Sequence, residues 1–156
     1  MAVPPERPTQ PHDYAILNLT WAALLAGLIA MTDQEGPPAH EMPLFGLASF
    51  SVSKTLSKER VGAWVRTPVV DESVPERTPK GRGLRYAAGE LVTCSRCLGT
   101  WSALALVGLR AVRPREARLV AGVLATSAVN DFLQAGFAWL TAGANRSATE
   151  PRPSSP

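Results

Sequence analysis

The only two cysteines of the 156-residue chain, Cys94 and Cys97, have a C-x-x-C spacing that could support thiol chemistry. Residues three apart share one face of a helix, so a helix that begins near Thr93 or Ser95 would bring the two sulfurs together. The N-terminus of such a helix and the neighbouring Arg96 would lower the pKa of a thiol and favour the thiolate. These features are typical of a redox pair.

Two other roles for Cys94 and Cys97 stay open. A closed zinc site takes four ligands, so zinc would require a second chain or a partner, and His12 and His40 are poorly placed to help. Alternatively, both thiols pack a helix start as small, semi-polar side chains. The chain has no second C-x-x-C to pass electrons on, and a cytosolic pair normally stays reduced. We therefore expect reduced structural thiols, no bound cofactor and mild serine variants.

Other candidate residues lie beside the cysteines or inside a later helix. Glu90 and Trp101 flank the pair in sequence, as does Arg96 within it. Asp131 and Asn130 fall in the middle of a long apolar stretch, where an ionisable group is costly and usually faces the protein interior. With no second membrane acid to relay a proton, Asp131 is predicted to tie two helices together. The sequence contains no Ser/His/Asp set, phosphate loop or defensible carboxylate pair, so an enzyme is not the favoured class.

The elements that position these residues are apolar blocks separated by charged ones. The nearly uncharged stretches are residues 14–32, 44–53, 98–109 and 117–143. A soluble domain mixes apolar and polar residues at a helical or strand period, whereas blocks are typical of membrane proteins. The pattern predicts an all-α integral membrane bundle of about four helices in a domain over 14–143, with disordered tails at 1–13 and 144–156.

The four blocks differ in their ability to cross a bilayer. Residues 14–32 would form about 28 Å of helix, which just spans, and we expect a retained anchor because the features of a cleaved signal peptide are weak. The 44–53 block is predicted to continue as a helix to Val65, whose second half lies at the membrane surface. The 98–112 helix is short, so one of these two helices is re-entrant or interfacial. Ridges of small residues suit close helix packing; they are Ala22/Ala26/Ala30, Gly99/Ala103 and Ala117/Ala121/Ala125.

Charge predicts the orientation and the partners. Nine of the sixteen Lys and Arg residues lie within 54–96, which places the N-terminus and the 54–93 segment in the cytosol, with a flexible linker at 67–88. The 33–43 loop has no Lys or Arg and would be external, although the arginine-rich 110–118 turn would then also face outward. Acids interrupt the basic residues, so the expected partners are lipid, other membrane proteins or a second copy, and not nucleic acid.

Two blocks of sequence resemble the domain of unknown function 1360 (DUF1360) family, small bacterial membrane proteins of the YngL-like type. They are RVGAWVRTP at 60–68 and GELVTCSRCLGTW at 89–101, and Asp131-Phe132-Leu133 also fits. Ser95 stands where family patterns often have proline. The resemblance covers residues 14–140 and implies a multi-helix membrane protein with no known activity. We expect a non-enzymatic interaction or scaffold protein; the alternative is a membrane thiol-disulfide or zinc-dependent factor centred on the cysteine pair.

Overall fold

The computed structural model describes residues 9–32 and 36–149, with side chains to residue 145. Within this part of the chain the fold is all-α, as predicted, and it contains no strand beyond an isolated antiparallel bridge between Val70 and Pro79. A 3₁₀ turn at Arg60–Gly62 separates the second and third helices. The helices are α1 (Pro11–Met31), α2 (Met42–Lys58), α3 (Ala63–Arg66), α4 (Leu84–Thr93), α5 (Ser95–Val112) and α6 (Pro114–Thr149).

Helix α2 is the centre of the bundle and packs against both α5 and α6. It runs parallel to α6, because Glu41 at its start contacts Arg118 and Lys54 near its end contacts Asp131. It runs antiparallel to α5, because Glu41 also contacts Arg110. The small residues predicted to form a ridge on α6 are buried together with the next one along the helix, namely Ala117, Ala121, Ala125 and Ala128. Small side chains let helix backbones approach closely, which explains this packing.

The helix ends differ from the sequence prediction in ways that local chemistry explains. Helix α1 begins at Pro11, so residues 9–13 are not part of a disordered tail: Asp13 is buried and accepts the backbone N–H of Gln10 at 2.9 Å. Helix α6 continues to Thr149, beyond the predicted end at 143. The predicted disorder at 1–8 and 150–156 lies outside the described residues.

The predicted helix from Leu44 to Val65 is wrong in its second half, because the chain leaves the helix at Glu59. It returns along the end of α2 so closely that Gly62 leaves no room for a side chain. A Cβ at that position would lie 2.5 Å from the Thr55 carbonyl oxygen. The helix is therefore replaced by a 3₁₀ turn and the short α3.

The prediction of a flexible linker at 67–88 is also wrong, because the segment is folded against the bundle. Backbone hydrogen bonds join Asp71 to Thr78 at 2.8 Å and Lys80 to Val69 at 2.7 Å, and Val70 between them is fully buried. Helix α4 then begins at Leu84. The segment acts as an ordered strap across the ends of α2 and α4.

Arg66 holds this strap to the bundle. Its side chain is completely buried, and its guanidinium donates to the carbonyl oxygens of Leu56 and Glu59 at the end of α2. The same group forms an ion pair with Glu72 of the strap at 2.6 Å. The last carbonyls of a helix have no partner within the helix, so a buried cation at this position satisfies them.

One described helix, α1, is long and apolar enough to cross a membrane by itself. Helices α4 and α5 meet the same criterion only as a pair, and that pair is bent by 89° at Cys94. Four membrane-crossing helices are therefore not established by length and composition. The predicted ridge on α1 is not packed within the chain, since Ala22, Ala26 and Ala30 are exposed.

Candidate functional site

The two cysteines lie at the sharp bend between α4 and α5. Helix α4 ends at Thr93, Cys94 takes an extended conformation, and α5 begins with Ser95. This is the helix start that the sequence predicted for the pair. The Cys94 sulfur caps α5 by accepting the backbone N–H of Cys97 at 3.3 Å. A side chain at this position satisfies one of the free N–H groups of a helix and meets the positive end of its dipole.

The neighbouring groups give the two thiols different acidities. The pKa of Cys94 lies below its usual value, because it accepts hydrogen bonds from the Cys97 thiol and from the backbone N–H groups of Cys97 and Arg96, while partial burial opposes this effect. Lys58 adds a favourable charge. The pKa of Cys97 is raised to about 11, because its thiol donates to Cys94 and is partly desolvated. Both thiols are free, with Cys97 exposed and Cys94 half-buried.

A cavity of about 420 Å³ opens beside this pair, between α1 and the α4–α5 bend. Its wall is mainly apolar and aromatic, and several of its polar groups bond to one another. The Tyr14 hydroxyl donates to the Glu90 carboxylate, and the Trp21 indole N–H donates to the Thr100 carbonyl at 3.4 Å. The lining residues are Tyr14, Leu17, Asn18, Trp21, Ala87, Glu90, Leu91, Cys94, Cys97, Thr100 and Trp101.

Helix α4 is held in position for this site by a close contact with the strap. Gly89 is buried, and a Cβ there would lie 2.7 Å from both the Val69 carbonyl oxygen and the side chain of Pro79. At the end of the helix, Lys58 donates to the Thr93 carbonyl at 2.8 Å, which joins α2 to the residue before Cys94. The bend therefore rests on α2 and on the strap.

The structure brings some of the predicted candidates together and separates others. Glu90 and Trp101 line the cavity with the cysteines, whereas the Arg96 side chain is exposed and Arg96 contributes through its backbone. Asp131 lies elsewhere, in an ion pair with Lys54 at 2.9 Å that ties α6 to α2. Its neighbour Asn130 is exposed.

Sequence reasoning missed the wall that α1 supplies. Tyr14, Asn18 and Trp21 follow a four- and three-residue spacing, so they share one helix face, and all three line the cavity. That spacing could have identified the face that lines the cavity. However, when the whole helix is interpreted as a membrane anchor, nothing distinguishes the face that packs against protein from the faces that contact lipid. This face of α1 packs against α4, which lies more than sixty residues further along the chain.

Sequence reasoning also missed Glu41, which lies in the 33–43 loop that was predicted only to be external. Glu41 is buried and forms ion pairs with Arg110 at 2.8 Å and Arg118 at 2.7 Å. These arginines hold the pKa of Glu41 below its usual value. Three helices, α2, α5 and α6, are joined at this carboxylate.

Metal ligands do not converge in the described part of the chain. It contains no group of three or more His, Cys, Asp or Glu residues that could hold an ion. His12 lies 3.5 Å from Asp13 at the start of α1, and His40 is exposed in the loop before α2. A zinc site at Cys94 and Cys97 would still require ligands from another molecule.

Comparison with known proteins places the chain in a family. The family model described as "Protein of unknown function (DUF1360)" matches residues 44–137, more than half of the chain. The chain belongs to the DUF1360 family. No curated protein and no solved structure matches it. The DUF1360 match covers most of α2, all of α3 to α5 and much of α6, so the cysteine bend lies inside it and the α1 wall of the cavity lies outside.

Proposed function

We propose that this DUF1360 protein is a membrane-anchored thiol–disulfide exchange protein that works through Cys94 and Cys97. The observation that carries the proposal is the Cys94 sulfur at the start of α5, hydrogen-bonded to Cys97 and opening on an aromatic cavity. The site favours the thiolate on one sulfur and retains the proton on the other. Dithiol proteins use this division to open and close a disulfide.

The exposures of the two sulfurs suggest their roles. When the pair is a disulfide, a partner's thiolate attacks the exposed Cys97 sulfur, and the S–S bond breaks with release of the Cys94 thiolate. A thiol of lower pKa leaves faster, which fits Cys94. A second thiol of the partner then attacks the mixed disulfide and releases Cys97. Two electrons have moved from the partner's dithiol to Cys94 and Cys97, and the partner's disulfide has formed.

The charge distribution supports a membrane orientation with the cysteines at the cytosolic end. The cysteine end comprises Tyr14 and residues 54–96, with nine basic residues against five acids. The Glu41 end comprises residues 36–43 and 110–118, where Arg110 and Arg118 share one carboxylate. Positive charge is retained on the cytosolic side, so the cysteine end is assigned there and α1 is assigned as the anchor. The arginine-rich turn then faces outward with three of its four arginines in ion pairs, since Arg113 also pairs with Glu116.

An interaction role is the second candidate, and one feature favours it. The end of α6 extends past its contact with α2 and exposes large apolar side chains, namely Leu133, Phe137, Trp139 and Leu140. Exposed apolar surfaces of this kind are typical of contacts with lipid or with another protein. A scaffold protein would use this surface and would not require the thiols to react.

The experiment that tests thiol exchange is pulsed alkylation of the reduced full-length protein over a range of pH. The pKa of Cys94 is lowered and that of Cys97 is raised to about 11, so Cys94 carries the larger fraction of thiolate at neutral pH. A thiolate of lower pKa is intrinsically less nucleophilic, which reduces this advantage but does not reverse it. We expect peptide mapping to find label on Cys94 first, and this preference should disappear as the pH rises through the pKa of Cys97 at about 11.

A glutathione titration completes the test. With increasing glutathione disulfide, the wild-type protein should lose two hydrogens by forming an intramolecular disulfide, measured by mass after acid quenching. The Cys94→Ser and Cys97→Ser variants should instead retain one glutathione on the remaining sulfur. Equal alkylation of both cysteines, together with no intramolecular disulfide at any ratio, would refute the exchange function and favour the scaffold role.

A further inference from the structure

We propose that the seam between α1 and α5 binds a lipid-soluble quinone, which reoxidises the Cys94–Cys97 pair. The inference rests on the proposed exchange function and names the electron acceptor of the same site. The quinone ring would occupy the cavity beside the two sulfurs, and its isoprenoid tail would follow the seam into the membrane. Each half of this ligand is suggested by a separate feature of the structure.

The cavity suits a flat, weakly polar ring. Its volume of about 420 Å³ lies within the range of small-molecule sites. Tyr14, Trp21 and Trp101 supply aromatic wall, and the hydrogen-bonding groups of the first two are already partly occupied by Glu90 and Thr100. A charged or highly polar ligand would find few free partners there, whereas a planar ring can stack on such walls.

Two further cavities follow the first along α1 and α5, and we take this row of cavities as the groove for the tail. A second cavity of about 290 Å³ shares Trp101 with the first and is lined otherwise by Leu24, Leu28, Leu104, Ala105 and Gly108. A third, of about 220 Å³, shares Leu28 with the second and reaches Arg110. The three cavities follow α1 from its Tyr14 end to its Thr32 end. Since α1 is the helix that can span a membrane, this groove would accept an extended hydrocarbon tail.

The chemistry of the pair requires an acceptor from outside the chain. After a partner has reduced the disulfide, the protein holds two thiols and has no other cysteine to take their electrons. A quinone accepts two electrons and two protons, which is what two thiols release when they form a disulfide. An acceptor dissolved in the bilayer would approach along the groove and would not compete with the partner at the exposed Cys97.

The Cys94 thiolate, next to the cavity, adds to a ring carbon of the quinone. Cys97 then loses its proton and attacks the Cys94 sulfur, so the S–S bond forms and the carbon–sulfur bond breaks. The electron pair of that bond goes to the ring, which takes up two protons and leaves as hydroquinone. Both cysteines are oxidised, and one quinone is reduced.

The test uses the full-length reduced protein in detergent with two quinones, decylubiquinone, which carries a hydrocarbon tail, and duroquinone, which has none. We expect one quinone to be reduced for each cysteine pair, with an intramolecular disulfide found by mass after acid quenching. Gly108→Leu should fill the groove, since a Cβ there would already lie 3.8 Å from Leu28. It should slow decylubiquinone reduction about tenfold and leave duroquinone reduction nearly unchanged.

Two further variants keep the test decisive. Ala105→Leu places the same side chain on an exposed position of the groove and should give the same selective loss even if Gly108→Leu folds poorly. Gly136→Leu, on α6 with no atom near its Cβ position, should change neither rate. If neither groove variant slows decylubiquinone selectively, the quinone site is wrong. If the thiols exchange with glutathione disulfide but no quinone oxidises them, the quinone inference fails and the exchange function stands; if neither reaction occurs, both fail.

Discussion

At the scale of single residues, two side chains bond to backbone atoms at helix ends. Cys94 caps the start of α5, and Arg66 satisfies carbonyls at the end of α2. Both belong to the sequence blocks that resemble the DUF1360 family, but only one of them could react. Arg66 is structural, because it anchors the strap and, through the strap, the α4–α5 bend.

Replacing Arg66 tests this structural role. Arg66→Ala removes every hydrogen bond of a completely buried guanidinium. The carbonyl oxygens of Leu56 and Glu59 then lose the hydrogen bonds that Arg66 donates to them. We expect a loss of about 3 kcal/mol of stability, seen as a lower unfolding temperature in detergent. Arg66→Lys should recover only part of it, because one ammonium cannot reproduce the planar fork.

The exposed Arg60 serves as the control for this comparison. Arg60→Ala removes the same charge from the neighbouring 3₁₀ turn and should leave the unfolding temperature unchanged. Equal effects of the two alanine substitutions would mean that net charge, and not the buried network of Arg66, accounts for the loss.

At the scale of elements, small side chains decide which helices pack closely. The α6 ridge is buried against α2, whereas the α1 ridge of the same four-residue spacing stays exposed. Spacing therefore identifies helix faces that are able to pack, but it does not identify their partners. The ion pairs of Glu41 and Asp131 fix the axial position of α2 against α6 at two points.

Leucine substitutions on the two ridges should separate these cases. Ala121→Leu overfills a position with no exposed surface and should cost about 1–3 kcal/mol. Ala26→Leu on the exposed ridge of α1 should cost less than about 0.5 kcal/mol. Unfolding in detergent measures both. A similar loss at Ala26 would show that α1 packs against another molecule.

At the scale of the whole molecule, the protein has two chemically different ends. The cysteine end carries the strap and an excess of basic residues, while the Glu41 end has two of its arginines paired to a buried carboxylate. The outward-facing arginine-rich turn at 110–118 therefore conflicts less with the positive-inside rule than its sequence indicated. Charges that looked independent in the sequence partly neutralise one another in space.

Cysteine labelling tests the orientation. In a background with Cys94→Ser and Cys97→Ser, His40→Cys marks the Glu41 end and Ser73→Cys marks the strap, and both native side chains are exposed. An impermeant thiol reagent should label only His40→Cys in intact cells, and both after the membrane is opened. Labelling of Ser73→Cys alone in intact cells would invert the topology, and labelling of both would exclude a barrier between the two ends.

The sequence by itself determined the four apolar helices α1, α2, α5 and α6, the helix start at the cysteines, the packing ridge on α6 and the family, but not the short helices α3 and α4. Each of these depends on residues a few positions apart: apolar blocks, a four-residue spacing of alanines, and a motif whose cysteines start a helix. Helix formation is governed by such local terms, so it can be read without knowing the fold. Glu90, Arg96 and Trp101 were candidates because they are close to the cysteines in the chain, but this proximity did not predict the cavity, which Glu90 and Trp101 line and Arg96 does not.

Only the tertiary structure decided which charges are buried and which helix faces meet. Tyr14 reaches Glu90 across 76 positions, and Glu41 reaches Arg118 across 77. Such pairings depend on the axial register of helices, which is set by summed packing across the bundle and not by any local pattern. The cavity beside Cys94 exists because α1 lies along α5 in one register, and for that reason its wall was invisible in the sequence.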